Sequence, residues 1–150
     1  MQRSPLRSNS RPRDLQGEVV AGLHKILLVE DNVELRNLYE IFLKYNKFEV
    51  ATAIDGEDGL EAAKTFKPDL VLLDVMMPKK DGFEVLQILR HDDTYNCTKA
   101  KIVLLTNLGD GSKLSEATRR DMDGYVIKAE IVLNDLLDVI ASLETKPAAS

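Results

Sequence analysis

Residues 70–82 read LVLLDVMMPKKDG: four apolar side chains in a row, an aspartate, then a polar loop closed by Asp81-Gly82. An apolar run without alternation suits a strand buried on both faces, the kind found in parallel sheets covered by helices. Asp74, at the end of the run, is therefore expected at the carboxyl edge of a sheet. The same pattern recurs on either side. Lys25 to Val29 leads into Glu30-Asp31-Asn32, Ile102 to Leu105 ends in Thr106, and Tyr125 to Ile127 ends in Lys128. Phe48 to Ala53, closed by Asp55-Gly56, is a further strand candidate.

Helical periods separate these runs. Leu35, Leu38, Tyr39, Phe42 and Leu43 form the apolar stripe of an amphipathic helix, with Asp31 or Asn32 as its cap. Leu60, Ala63 and Phe66 mark a second helix, stopped by Pro68. Phe83, Leu86, Ile88 and Leu89 mark a third. Leu114, Ala117 and Met122 make a thin fourth between Asp110 and Met122, and Leu133, Leu136, Leu137 and Ile140 a clear fifth. Strands alternating with helices predict an α/β fold: a doubly wound five-stranded parallel sheet with right-handed crossovers.

The chain has 150 residues, 44% of them hydrophobic, enough for one domain with a sizeable core. Its 20 Lys+Arg against 25 Asp+Glu leave a formal charge of −5, not the basic footprint of a nucleic-acid binder. Cys97 is the single cysteine, which excludes an internal disulfide and a cysteine-cluster zinc site. His24 and His91 are too far apart in sequence for a helical metal motif. No apolar run approaches the ~18 residues of a membrane span, so a cytoplasmic protein is expected. Residues 1–22 differ in character: Arg3, Arg7, Arg11 and Arg13 face only Asp14 and Glu18, among Ser, Pro and Asn. They read as a disordered basic leader rather than a transit peptide, since no apolar or amphipathic period accompanies the arginines. Residues 23–144 form the expected domain, and 145–150 a short polar tail that leaves no room for an output domain.

Ligands of open α/β sheets bind beyond the carboxyl ends of the strands. Glu30, Asp31, Asp74, Thr106 and Lys128 should converge there. Three carboxylates brought together repel unless a cation neutralises them, and a hard dication with oxygen ligands, Mg²⁺ above all, fits that set. A metal, an ammonium and a hydroxyl around one carboxylate suit phosphoryl transfer to an aspartate nucleophile. Each residue alone has a plainer reading, as helix cap, strand former or solvated terminus. Their coincidence at matched strand ends favours the functional one.

The motifs ILLVEDN at 26–32, LVLLDVMMPKKDG at 70–82, IVLLT at 102–106 and GYVIK at 124–128 resemble the receiver domain of two-component response regulators. The resemblance runs from Lys25 to Leu143. It implies a flavodoxin-like sheet of strand order 2-1-3-4-5 and makes Asp74 the phosphoacceptor. It further implies Mg²⁺ held by Asp31 directly, by Glu30 through water, by Asp74 and by the Met76 carbonyl. Thr106 and Lys128 would bind the phosphoryl group, and Tyr125 would be the switch aromatic. Expected partners are a sensor histidine kinase or histidine phosphotransfer protein and a protein effector, with neither DNA nor membrane contacted directly. As a stand-alone regulator the protein would signal by protein contact, and its only catalysis would be to assist its own phosphoryl transfer and dephosphorylation.

Two features depart from the family pattern. Lys128 precedes Ala129 where the family commonly has proline, which favours a trans bond because a cis non-proline bond costs about 3–4 kcal/mol. Asn107 replaces a smaller residue after Thr106, and together with Met76 and Leu108 it should tune access and dephosphorylation. Rival readings are a relay intermediate that passes the phosphoryl group on, an Mg²⁺-dependent phosphohydrolase and an FMN binder. The hydrolase would want a D-x-D pattern, but Met76 stands two residues after Asp74, and acids crowd the place where FMN phosphate would sit. Cys97 has no nearby base, and His91 is most simply a favourable contact with a helix C-terminus.

Overall fold

The computed structural model describes residues 23–107, 114–128 and 133–144. In chain order the elements are β1 (Lys25–Val29), α1 (Val33–Tyr45), β2 (Glu49–Ala53), α2 (Gly56–Phe66), β3 (Leu70–Asp74), α3 (Gly82–His91), β4 (Lys101–Thr106), α4 (Glu116–Asp121), β5 (Gly124–Ile127) and α5 (Leu133–Leu143). The strands form one parallel sheet in the order β2-β1-β3-β4-β5. Fold class and strand order are those expected.

The uninterrupted apolar runs serve two cores at once. Along β1, Leu27 and Val29 face one side while Ile26 and Leu28 face the other, and β3 and β4 alternate in the same way. On one side these residues meet Leu60 and Ala63 of α2 and Val85, Leu86 and Leu89 of α3. On the other they meet Tyr39 and Leu43 of α1 and Leu136, Ile140 and Leu143 of α5. Each fully buried aliphatic side chain contributes roughly 1.5–3 kcal/mol, so the strand ends are held by a rigid layer.

Three details differ from the sequence reading. Leu38 is 47% exposed, not part of the buried stripe, because Tyr39 and Leu43 turn toward the sheet and leave Leu38 and Ile41 on the outer face. The fourth helix, expected from Asp110, begins at Glu116, where the Ser115 hydroxyl accepts from the Thr118 amide; residues 108–113 lie outside the described residues. Within the polar stretch from His91 to Thr98, Asp93–Tyr95 forms a 3-10 turn and Cys97 is fully buried in the core. Burial pushes the Cys97 thiol up to about 11, partly opposed by the Arg90 charge, so it stays protonated and unreactive. The expected leader at 1–22 and tail at 145–150 lie outside the described residues.

Candidate functional site

Asn32, not Asp31, caps α1, its side chain accepting from the Leu35 amide at 3.0 Å. That leaves the Asp31 carboxylate exposed at the carboxyl edge of the sheet. Glu30 is fully buried beside it. Its backbone amide donates to the Ala53 carbonyl of β2 at 3.1 Å. The Arg36 guanidinium, one turn into α1, donates to the Glu30 carbonyl at 2.9 Å and the Asp31 carbonyl at 3.4 Å. The sequence reading missed Arg36. Its only signal is a cation one helical turn beyond an acidic pair.

Asp74 ends β3 opposite Leu105 of β4, 2% exposed. The Met76 amide donates to its Oδ1 at 3.2 Å, and the Lys128 ammonium stands 3.3 Å from the same oxygen. Lys128 Nζ also donates to Glu30 Oε1 at 3.1 Å and Oε2 at 3.4 Å. The Lys128 backbone is fixed in turn, its amide donating to the Thr106 carbonyl at 2.7 Å. Thr106 is buried at the end of β4. Tyr125 is half-buried against the core of the α2 and α3 side.

Carboxylate oxygens of Glu30, Asp31 and Asp74 all lie within 4.8 Å of one another. With Asn32, Leu35, Met76, Asn107 and Lys128 they line a cleft of about 470 Å³. Burial, then the charge of Glu30, pushes the Asp74 carboxyl up to about 7, and Lys128 only partly opposes them. Burial alone would lower the Lys128 pKa, but its hydrogen bond to Glu30 and the charge of Asp74 outweigh that and raise it. Burial and the charge of Glu30 also raise the phenol of Tyr39 beneath the cleft. One ammonium thus faces three carboxylates, an excess of hard oxygen donors that a small dication would neutralise.

Glycine explains how the loop after β3 folds so closely over this edge. A Cβ on Gly82 would meet the Asp74 carbonyl oxygen at 2.4 Å and the Val75 Cα at 2.7 Å. The Gly82 amide donates to the Val75 carbonyl at 2.8 Å, and Asp81 caps α3 in a reciprocal pair with Glu84. The structure therefore brings together Glu30, Asp31, Asp74, Met76, Asn107 and Lys128 at the cleft, with Thr106 at the same sheet edge. Leu108 and the Lys128–Ala129 peptide lie outside the described residues. His91 does more than meet a helix end: its Nε2 lies 3.1 Å from both carboxylate oxygens of Asp121 in α4.

Comparison with known proteins agrees with this geometry. The chain is 40% identical over 104 residues to the probable transcriptional regulator ycf27 of Cyanophora paradoxa, a match covering 69% of this chain and 41% of that protein. Against the chemotaxis protein CheY of Halobacterium salinarum it is 35% identical over 107 residues, covering 69% of this chain and 83% of that one. It thus spans about two fifths of the length of the first relative and most of the second. The response regulator TrrA of Thermotoga maritima, solved in complex with Mg²⁺ and BeF, superposes with a TM-score of 0.69 at 30% identity, covering 81% of this chain and 99% of that one. Residues 26–141 match the response regulator receiver domain family. The chain belongs to that family of two-component receivers.

Proposed function

We propose that residues 23–144 act as the receiver of a response regulator that takes a phosphoryl group onto Asp74 in the presence of Mg²⁺. The observation that carries this reading is the Glu30, Asp31 and Asp74 cluster, with Lys128 bonded into it, at the carboxyl edge of the sheet. The TrrA structure, with its bound Mg²⁺, supports the choice of metal.

Asp31, Asp74 and the Met76 carbonyl would hold Mg²⁺, with Glu30 acting through water. Bound there, the ion supplies positive charge against the phosphoryl oxygens. A carboxylate oxygen of Asp74 attacks phosphorus in line, a P–O bond forms, the P–N bond to the donor imidazole breaks, and the imidazole takes up a proton. The Lys128 ammonium, already at Asp74 Oδ1, donates to a phosphoryl oxygen, and the Thr106 hydroxyl does the same from the next strand. Tyr125 responds to the movement of Thr106. The donor is a histidine kinase or a histidine phosphotransfer protein, and the signal leaves by protein contact in the cytoplasm. Among the described residues no helix is long and apolar enough to cross a membrane.

Incubation with acetyl phosphate, followed by intact-mass measurement, tests the assignment. Wild type should gain one phosphoryl group only with Mg²⁺, and Asp74→Asn none. Undiminished labelling of the variant would move the acceptor elsewhere.

A further inference from the structure

The loop between β3 and α3 carries Met76, and its far end is pressed against another element. A Cβ on Gly56, the first residue of α2, would meet the Lys80 carbonyl oxygen at 2.3 Å, the Lys80 Cβ at 2.8 Å and a Val85 methyl at 2.9 Å. The Gly56 backbone therefore rests directly on the Lys80 backbone, with the Lys80 Cβ and a Val85 methyl closing the space beside it. Lys79 adopts a left-handed conformation, φ 69°, which a non-glycine residue adopts only when its surroundings hold it. Its ammonium lies 3.5 Å from Asp55 Oδ2 and 3.9 Å from Glu57 Oε1. Asp55 is itself buried and fixed, its Oδ1 accepting from the Asp58 amide at 2.8 Å. That hydrogen bond, more than the Lys79 charge, holds the Asp55 carboxyl below the usual carboxylate range.

The loop is thus pinched at two points: by Gly82 against the Asp74 backbone and by Gly56 against Lys80. Met76 and Met77 lie between them, and the Met76 amide bonds the acceptor carboxylate. We infer that the N-terminus of α2, through Gly56, Asp55 and Lys79, is a positioning device that sets where the Met76 backbone stands and so tunes the metal affinity of the cleft. None of these three residues lines the cleft, and they act only through the loop. The inference rests on the Mg²⁺ reading proposed above.

The test uses Gly56→Ala, Lys79→Gln and wild type. The added methyl forces Lys80 away and Met76 with it. Mg²⁺ affinity, measured by calorimetric titration, should fall about tenfold in Gly56→Ala, the scale on which groups behind metal ligands act. Lys79→Gln should lose about two- to fivefold, as fits an exposed ion pair. In the metal-free proteins the amide resonances of Met76 and Met77 should shift while those of β5 and α5 stay in place. The rate of labelling by acetyl phosphate at saturating Mg²⁺ should stay near wild type, so only the Mg²⁺ concentration for half-maximal rate moves. Should Gly56→Ala fail to fold, Lys79→Gln carries the test through the same readings. Wild-type affinity in the variants, with Met76 and Met77 resonances unmoved, would overturn the inference. Absence of Mg²⁺ binding in wild type would instead defeat the functional reading beneath it.

Discussion

Asp74→Asn should stabilise the metal-free protein, by an amount that depends on pH. In the fold the Asp74 carboxyl is pushed from 3.8 to about 7. Its folded-state value therefore lies above the unfolded one, the reverse of a salt-bridged aspartate. Below pH 4 the group is protonated in both states and costs nothing. As the pH rises through 7 the native state must ionise a buried carboxyl beside Glu30, and stability is lost. The difference between the two values corresponds to about 4 kcal/mol at 1.36 kcal/mol per pKa unit. Asparagine avoids that cost, while Lys128 keeps its 3.1 Å bond to Glu30. Burying a neutral amide takes back part of the gain, so the expected stabilisation is about 2–4 kcal/mol at pH 8, shrinking toward zero near pH 4. Urea unfolding with a metal chelator at both pH values, compared with wild type, measures it directly. A gap independent of pH, or one that widens toward acid, would refute this account of Asp74.

Three other outcomes follow from the same electrostatics and packing. Mg²⁺ affinity should fall on acidification through pH 7, by up to about tenfold per pH unit, because the ion competes with one proton on Asp74; calorimetry at pH 6, 7 and 8 tests this, and a flat profile counts against it. Lys128→Met should destabilise the metal-free protein by about 3–5 kcal/mol at pH 8, since it strips the ammonium from a fully buried Glu30; the loss should be smaller at pH 5, where Asp74 is protonated, and urea unfolding at both pH values separates this from lost packing. Met76, 64% exposed at the cleft, cannot orient a water by a strong hydrogen bond, nor can Leu108. Met76→Asn and Leu108→Glu should therefore shorten the lifetime of the phosphorylated state, and unchanged decay in both variants would show that water orientation there is not limiting.

The fold was legible because the inner strands β1, β3 and β4 are buried on both faces and so appear as unbroken apolar runs, while polar residues mark where each run ends. The same ends made Asp74, Thr106 and Lys128 visible before any geometry. What stayed hidden depends on tertiary partners. Nothing local distinguishes Arg90 from a solvated helix end. Yet its side chain is buried and donates to the carbonyls of Thr98, Ala100 and Asp121 while pairing with Asp123 at 2.9 Å. Arg36 is silent for the same reason. Leu38 shows the opposite error, in which the apolar period included a residue left on the outer face once Tyr39 and Leu43 turn toward the sheet. Gly56 and Gly82 stood out as turn residues, but the backbone they accommodate belongs to Lys80 and Asp74, which only the fold brings near.

Burial and bonding distinguish the three carboxylates of the cleft in ways that bear on their proposed roles. Both Glu30 oxygens are engaged, Oε1 by Lys128 and Oε2 by Lys128 and the Asn32 amide. A fully buried carboxylate with its acceptors so occupied is poorly placed to coordinate an ion directly, in keeping with a contribution through water. Asp31 is the exposed member, and Mg²⁺ sheds its hydration shell reluctantly, so a ligand at the solvent edge suits it. Asp74 is anchored by the strand and lines the cleft, its Oδ1 accepting from the Met76 amide at 3.2 Å and standing 3.3 Å from the Lys128 ammonium. A nucleophile needs a fixed backbone, few competing hydrogen bonds and an environment that makes its charge unwelcome until a cation arrives. Of the three, Asp74 joins a strand-fixed backbone to a carboxyl whose charge burial and Glu30 make unwelcome, which supports its proposed role as acceptor independently of its place in any motif.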